Sequence, residues 1–296
     1  MEIGDCKLCL LKDVDLRASH FLPRSFYALM RTDDHIPVYI SKESMYSSTK
    51  QVKDYVFCGD CEQCFGKAET WIKPMLPEVG GPFPLRERLR KQVPIDKTAD
   101  WELYEAASNP EINVDKLTHF GIGVFYKGAV HPWNGGGSET PLKLAPEELE
   151  ALRQYLLGLA ELPKNMALTV TVDSLPVVWQ AMIQPYQAEP LGGFNRYVFY
   201  IPGVFFQLLI GDGVQDVVPN FSADPRHLIL VEDVSHPMRN TAREQTADAK
   251  RTEKLEKTTA EIDAEGLSIS LGEYPLIAAQ NAAAEVARND LKKGRG

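Results

Sequence analysis

Two Cys-x-x-Cys pairs, Cys6-Lys7-Leu8-Cys9 and Cys58-Gly59-Asp60-Cys61, enclose a Ser19-His20-Phe21-Leu22-Pro23 element. Four thiolates in two such pairs can complete a tetrahedral zinc shell, with donors at about 2.0–2.3 Å. A shell closed by four sulfurs leaves zinc no open position, so the metal folds the module and does not activate water. Any chemistry then falls to other residues, and His20, held in the loop between the pairs, is the first candidate. The competing reading is four unrelated buried cysteines. The separation of Cys9 from Cys58 exceeds the spacing of a simple finger and predicts a small structured insert. Cys64 makes a third Cys-x-x-Cys with Cys61; it is either an exchangeable ligand or a small core residue one helical turn past the site.

The order Cys-x-x-Cys, Ser-His-x-x-Pro, Cys-x-x-Cys resembles the HNH endonuclease superfamily in its zinc-stabilised form. More narrowly, the runs Leu16–Tyr27 and Cys58–Gln63, with Glu69, are similar to a group of bacterial and phage HNH-like proteins, and residues 119–157 are similar to that group too. The motif itself covers residues 1–72. The resemblance implies a ββα-metal, treble-clef-like module in which Cys6, Cys9, Cys58 and Cys61 hold structural zinc. It implies that His20 is the general base and Pro23 ends the strand. A divalent cation, Mg2+ or Mn2+, would hold the scissile phosphate. Two positions depart from the pattern. Ser19 stands where a carboxylate or imidazole ligand is usual, and Glu62 stands where the last catalytic His or Asn is usual.

Glu62 can bind a hard cation through oxygen, or it is a helix-start carboxylate favoured by the dipole. Arg24 can neutralise a neighbouring phosphate, or it is surface charge. His20 activates water, or it is a structural histidine bonded within the hairpin. Asp60 and Glu69 are further acidic candidates. The expected function is HNH-like hydrolysis of nucleic-acid phosphodiesters through His20, Glu62 and Arg24. The alternative is a zinc-bound module that holds nucleic acid or protein without hydrolysis. The partners implied are nucleic acid, DNA before RNA, and a protein partner through the later regions; an oligomer is compatible.

The elements that position these residues read as α+β. Val38-Tyr39-Ile40 reads as a strand, and residues 59–72 as a helix with Phe65, Ala68, Trp71 and Ile72 at helical spacing. Residues 1–75 form the zinc module. Five prolines and Gly80-Gly81 between Pro74 and Pro94 predict a linker over 76–98. An α+β recognition domain with an antiparallel sheet is expected over 99–236. Its first helix is capped by Asp115 and carries Leu117, Phe120, Val124 and Phe125. A second starts at Pro146 and carries Leu149, Leu152, Leu156 and Leu159. Alternation at 166–172 predicts a half-buried strand, Pro202-Gly203 a hairpin between 196–201 and 204–210, and 227–231 another strand. Residues 237–296, first charged and then alanine-rich, read as a helical tail.

The net charge of -9 is uneven: residues 1–95 hold 14 basic and 13 acidic residues, the remainder 18 and 28. An acidic body disfavours nonspecific phosphate binding except on a local face. Residues 197–211, an uncharged stretch as long as any in the chain, are broken by Pro202-Gly203 and are too short to span a bilayer. With no secretory pattern at the start and cysteines in metal-ligand spacing, a soluble cytoplasmic protein without membrane contact is expected. Gly135-Gly136-Gly137 lacks the Gly-Lys-Ser/Thr ending of a phosphate loop, and no Gly-x-Ser-x-Gly elbow is present. His35, His119, His131, His227 and His236 make no ligand spacing.

Overall fold

Alternating polar and apolar residues after the first cysteine pair build an antiparallel ladder. β2 (Val14–His20) pairs on one edge with β1 (Glu2–Gly4) and on the other with β5 (Lys53–Cys58), which runs straight into α2 (Gly59–Ile72). The register sets Leu16 opposite Cys58, Ala18 opposite Tyr55, Ser19 opposite Asp54 and His20 opposite Lys53, with a bulge between Arg17 and Ala18. The computed structural model describes residues 2–29, 38–40, 44–47, 51–78, 81–133, 141–175, 181–214, 221–222, 224–234 and 250–251. The triple glycine at 135–137, His35 and His236 lie outside the described residues.

The chain between β2 and β5 does not stay in the small sheet. After α1 (Arg24–Leu29) it supplies β3 (Val38–Ile40) and β4 (Ser44–Ser47) to a second sheet. Downstream come α3 (Pro84–Arg90), β6 (Asp96–Lys97), β7 (Trp101–Glu105), α4 (Val114–Val130), α5 (Pro146–Leu156), β8 (Met166–Asp173), β9 (Ala181–Leu191), β10 (Phe194–Ile201), β11 (Val204–Ile210), β12 (Leu228–Glu232) and β13 (Lys250–Arg251). The second sheet has ten strands in the order β13-β4-β3-β9-β10-β11-β8-β12-β7-β6. The class is α+β as expected. The sheet is mixed, not purely antiparallel: β12 runs parallel to β8, β3 to β9 and β13 to β4.

Helix α4 joins the two sheets. Ten of its residues between Leu117 and Lys127 are buried, because the large sheet covers one face and α2 the other. A methyl group on Gly121 would lie 3.0 Å from Leu168 and Phe206; one on Gly123 would lie 3.2 Å from Phe65 of α2. The cap is Asn113, whose Oδ1 accepts the Lys116 N–H at 2.9 Å; Asp115 lies inside the first turn. Leu152 and Leu156 of α5 are buried as expected, but the helix stops at Leu156 and Leu159 is exposed. β8 is buried along its whole length, not half-buried. It lies between β11 and β12, and its second face meets a separate cluster of Ala167, Phe194, Leu209 and Val214.

The stretch expected as a linker is part of the core. It carries α3, with Leu85 and Leu89 fully buried, and Arg86 Nη1 donates to the carbonyls of Asp173, at 2.9 Å, and of Leu175. One cluster of buried side chains runs from Cys6 to Val231, so residues 1–75 and 99–236 share a core. Within 237–296 only Lys250–Arg251 lie among the described residues. No helix among the described residues is long and apolar enough to cross a membrane.

Gly203, in the β10–β11 turn, has φ +80°, and a Cβ there would lie 2.6 Å from the Phe83 ring. Gly203→Ala is expected to destabilise the fold by about 2–4 kcal/mol, the left-handed backbone and the overlap both contributing; denaturant midpoints will read it.

Asp173, at the end of β8, is fully enclosed. Burial pushes its carboxyl up to about 7, although the Leu175 N–H, 3.0 Å from Oδ1, pulls the other way. The folded value lies above the ordinary one, so ionisation favours the unfolded chain. This group's contribution to stability is therefore greatest below pH about 4 and is lost as pH rises towards about 7, at most a few kcal/mol. Asp173→Asn is expected to flatten the pH profile of the urea midpoint over that range.

Candidate functional site

The four sulfurs of Cys6, Cys9, Cys58 and Cys61 lie within 4.8 Å of one another, and the Cys9 and Cys58 sulfurs are 3.8 Å apart. Tetrahedral zinc with bonds of about 2.3 Å sets its sulfurs about 3.8 Å apart, so the cluster has the size and the donor set of a four-thiolate metal centre. The fold explains the convergence. The first knuckle turns on Leu10 at φ +61°, the Leu10 N–H reaching the Cys6 carbonyl at 3.0 Å. The second pair sits where β5 becomes α2, and the Cys58 N–H donates to Cys6 Sγ at 3.3 Å.

The thiols of Cys6 and Cys61 press on each other. A hydrogen bond with Cys61 pulls Cys6 down to about 4, against its burial, and the same contact pushes Cys61 up. A divalent cation removes this conflict by holding all four as thiolates.

The knuckle is fastened to the body. Tyr126 of α4 donates its hydroxyl to the Lys7 carbonyl, and Arg153 of α5 donates to the Leu8 carbonyl at 3.3 Å. Leu8 itself is fully buried. Cys64, one turn along α2, is not in the cluster. Its thiol donates to the Leu156 carbonyl at 3.3 Å and lies 3.6 Å from His119 Nε2, which is the core role.

A second group of polar side chains gathers at the other end of β2. Ser19 is fully buried; its hydroxyl donates to the Arg17 carbonyl and accepts the Phe57 N–H, each at 3.3 Å. Glu62, on the first turn of α2, is largely enclosed. Burial pushes its carboxyl up, while the Lys127 ammonium pulls it down. Its Oε1 has no hydrogen-bond partner among the described residues. Lys127 of α4 is 2% exposed. Its ammonium donates to Glu69 Oε1 at 2.6 Å and to the His20 carbonyl at 3.2 Å, and lies 4.6 Å from the centre of the Phe65 ring. Trp133 Nε1 donates to the Lys127 carbonyl at 2.8 Å, and His131 meets Asp54 at 2.9 Å, so the end of α4 is bound to the hairpin.

The His20 ring is half-buried, with Nε2 2.9 Å from Gln51 Oε1. That amide oxygen only accepts, so Nε2 is the donor in this contact. By strand alternation, His20 and Lys53 share the face opposite to Ser19 and Asp54. Tyr55, 39% exposed, follows Lys53 on that outer face. Arg24 stands exposed at the first residue of α1.

The structure thus brings the four predicted zinc cysteines together, and sets Glu62 beside Ser19 and near His20. Lys127 was the residue missing from the sequence reading. Its signal is a single lysine inside the apolar run Gly121–Val130, a placement that demands a buried partner.

No known protein family, curated protein or solved structure matches this chain.

Proposed function

We propose that the chain is a zinc-stapled, HNH-like ββα unit, treble-clef-like in its knuckle, hairpin and helix, that binds single-stranded nucleic acid without hydrolysing it. The observation that carries this reading is the division of the hairpin into two faces. On the inner face, the position from which a metal ligand would act is Ser19, fully buried and committed to the Arg17 carbonyl and the Phe57 N–H. A hydroxyl so engaged is a poor substitute for a carboxylate, which disfavours hydrolysis aided by Mg2+ or Mn2+. On the outer face, Lys53, Tyr55 and His20 stand together. An exposed aromatic ring accepts a stacked base, and a neighbouring ammonium accepts the phosphate beside it. Arg24, exposed at the start of α1, can extend the path for phosphates. The acidic remainder of the chain confines such binding to this face.

The test is incubation of supercoiled plasmid, single-stranded DNA and RNA with Mg2+ or Mn2+, for the wild type and His20→Ala. Intact substrates with both proteins, and a retarded single strand, are the expected result. Cleavage by the wild type that His20→Ala abolishes would restore the hydrolytic reading, with His20 as general base.

A second reading, a protein partner, is favoured by Ile3, Leu10 and Leu11 on the first strand and the knuckle, which are 70%, 56% and 58% exposed. Absence of any binding to DNA or RNA at low salt, in zinc-loaded folded protein, would move the assignment there.

A further inference from the structure

Beneath the hairpin the Glu69 carboxylate and the His20 carbonyl face one ammonium, and the Glu62 carboxylate, on the same helix, feels the charges of Lys127 and Glu69 and keeps a buried Oε1 without a hydrogen-bond partner among the described residues. An enclosure of oxygens with two carboxylates has the donor chemistry of a hard divalent cation. Here the enclosed cation belongs to the chain. The Lys127 ammonium is 2% exposed and makes two short oxygen contacts, 2.6 Å to Glu69 and 3.2 Å to the His20 carbonyl. Its remaining side meets the Phe65 ring. The Lys127 side chain is closed off from water, because α4 is buried along this stretch.

We infer that Lys127 is the resident cation of this oxygen cluster: it occupies the space a divalent ion would need, and its removal converts the cluster into a Mn2+ or Mg2+ site. The inference deepens the proposed function, and rests on it only in taking this end of β2 as the working end of the hairpin. It explains how a hairpin with Ser19 in place of a charged ligand keeps two acidic residues beneath it. Their charge is met from α4 and not from solvent. It also makes the working form of the native hairpin independent of any dissociable ion at this place, leaving the four-cysteine centre as the metal the chain needs.

The experiment is Mn2+ titration of zinc-loaded protein, read by electron paramagnetic resonance and by the thermal midpoint, for wild type, Lys127→Ala and Lys127→Ala/Glu69→Gln. Wild type is expected to bind no Mn2+ at the cluster and to keep its midpoint. Lys127→Ala is expected to bind about one Mn2+ per chain, at least tenfold more tightly than wild type or the double variant. If Lys127→Ala folds poorly, Mn2+ should raise its midpoint and leave that of the wild type unchanged. The inference is overturned if wild type binds Mn2+ in a manner lost in Glu62→Gln. It is equally overturned if Lys127→Ala neither binds Mn2+ nor gains stability from it, or if the double variant binds as well as the single. Oligonucleotide binding by the wild type is a separate readout, so failure of either idea is visible without the other.

Discussion

A Cys61→Ser chain is expected to lose the capacity to hold a metal at the four-cysteine cluster, and with it the packing of the first knuckle against β5 and α2. Structural zinc contributes an apparent 10–16 kcal/mol, roughly, in small zinc modules at neutral pH, comparable to the whole stability of an ordinary domain. The loss would not stay local. Cys6 accepts the Cys58 N–H, and the knuckle carbonyls of Lys7 and Leu8 are held by Tyr126 and Arg153. Disordering the knuckle therefore strips partners from α4 and α5. Metal analysis of the wild type should find about one zinc per chain under the four-ligand geometry. The variant should contain none and should melt more than about 10 °C lower, since each kcal/mol moves the midpoint of a chain of this size by about 2–4 °C. A serine variant with the wild-type midpoint, or a folded wild type without metal, would mean that the cysteines are merely neighbours in the core.

The second large effect is expected at the pair buried between α2 and α4. Glu69→Ala leaves the Lys127 ammonium enclosed with only the His20 carbonyl and the Phe65 ring against it. Breaking a buried ion pair by deleting one partner costs about 3–5 kcal/mol, because the other charge stays desolvated. Glu69 is itself 22% exposed, and Glu62 is close enough to take over part of the charge, so the lower end of that range is expected. Lys127→Met should cost less, since it removes the enclosed charge and leaves the carboxylate a route to water. The exposed pair of Arg90 and Glu102, at 2.9 Å, is the internal control: Arg90→Ala should cost under about 1 kcal/mol. Urea midpoints of the three variants provide the ranking. A Glu69→Ala effect no larger than that of Arg90→Ala would mean that Lys127 finds water or another carboxylate.

The cysteine pairs, the helix from 59 to 72, the helix starting at Pro146 and the hairpin at Pro202-Gly203 were legible because each carries a local signal: ligand spacing, an apolar period or turn chemistry. Three features were not local and could not be read that way. The prolines of residues 76–98 suggested a linker, yet Pro84 sits at the start of α3, where its fixed backbone and missing N–H are tolerated, and Leu85 and Leu89 anchor the segment in the core. The half-buried reading of β8 failed because its threonines, Thr169 and Thr171, are covered by neighbouring elements that no residue within the strand announces. The departure of the chain after β2 to supply β3 and β4 to the other sheet rests on a pairing of Val38 with Ala181, far outside any window of local pattern. At the site, Glu62 was legible as an acid after the last zinc cysteine. What it faces depended on Lys127, far downstream on α4, and hence on how α4 crosses α2.

The most direct measurement is fluorescence anisotropy of a labelled single-stranded oligonucleotide, DNA and then RNA, titrated with zinc-loaded wild type, Tyr55→Ala and Lys53→Ala over a series of salt concentrations. Both side chains are exposed, so both variants should fold as the wild type does. Saturable, salt-sensitive binding by the wild type is the expected result. Tyr55→Ala should weaken it about 5- to 150-fold, through the loss of about 1–3 kcal/mol of stacking. Lys53→Ala should lower the salt slope by about 0.7, the share of one phosphate on a single strand. Equal binding by all three proteins, or none by the folded wild type even at low salt, would contradict the assignment of the His20 strand as a nucleic-acid-binding face.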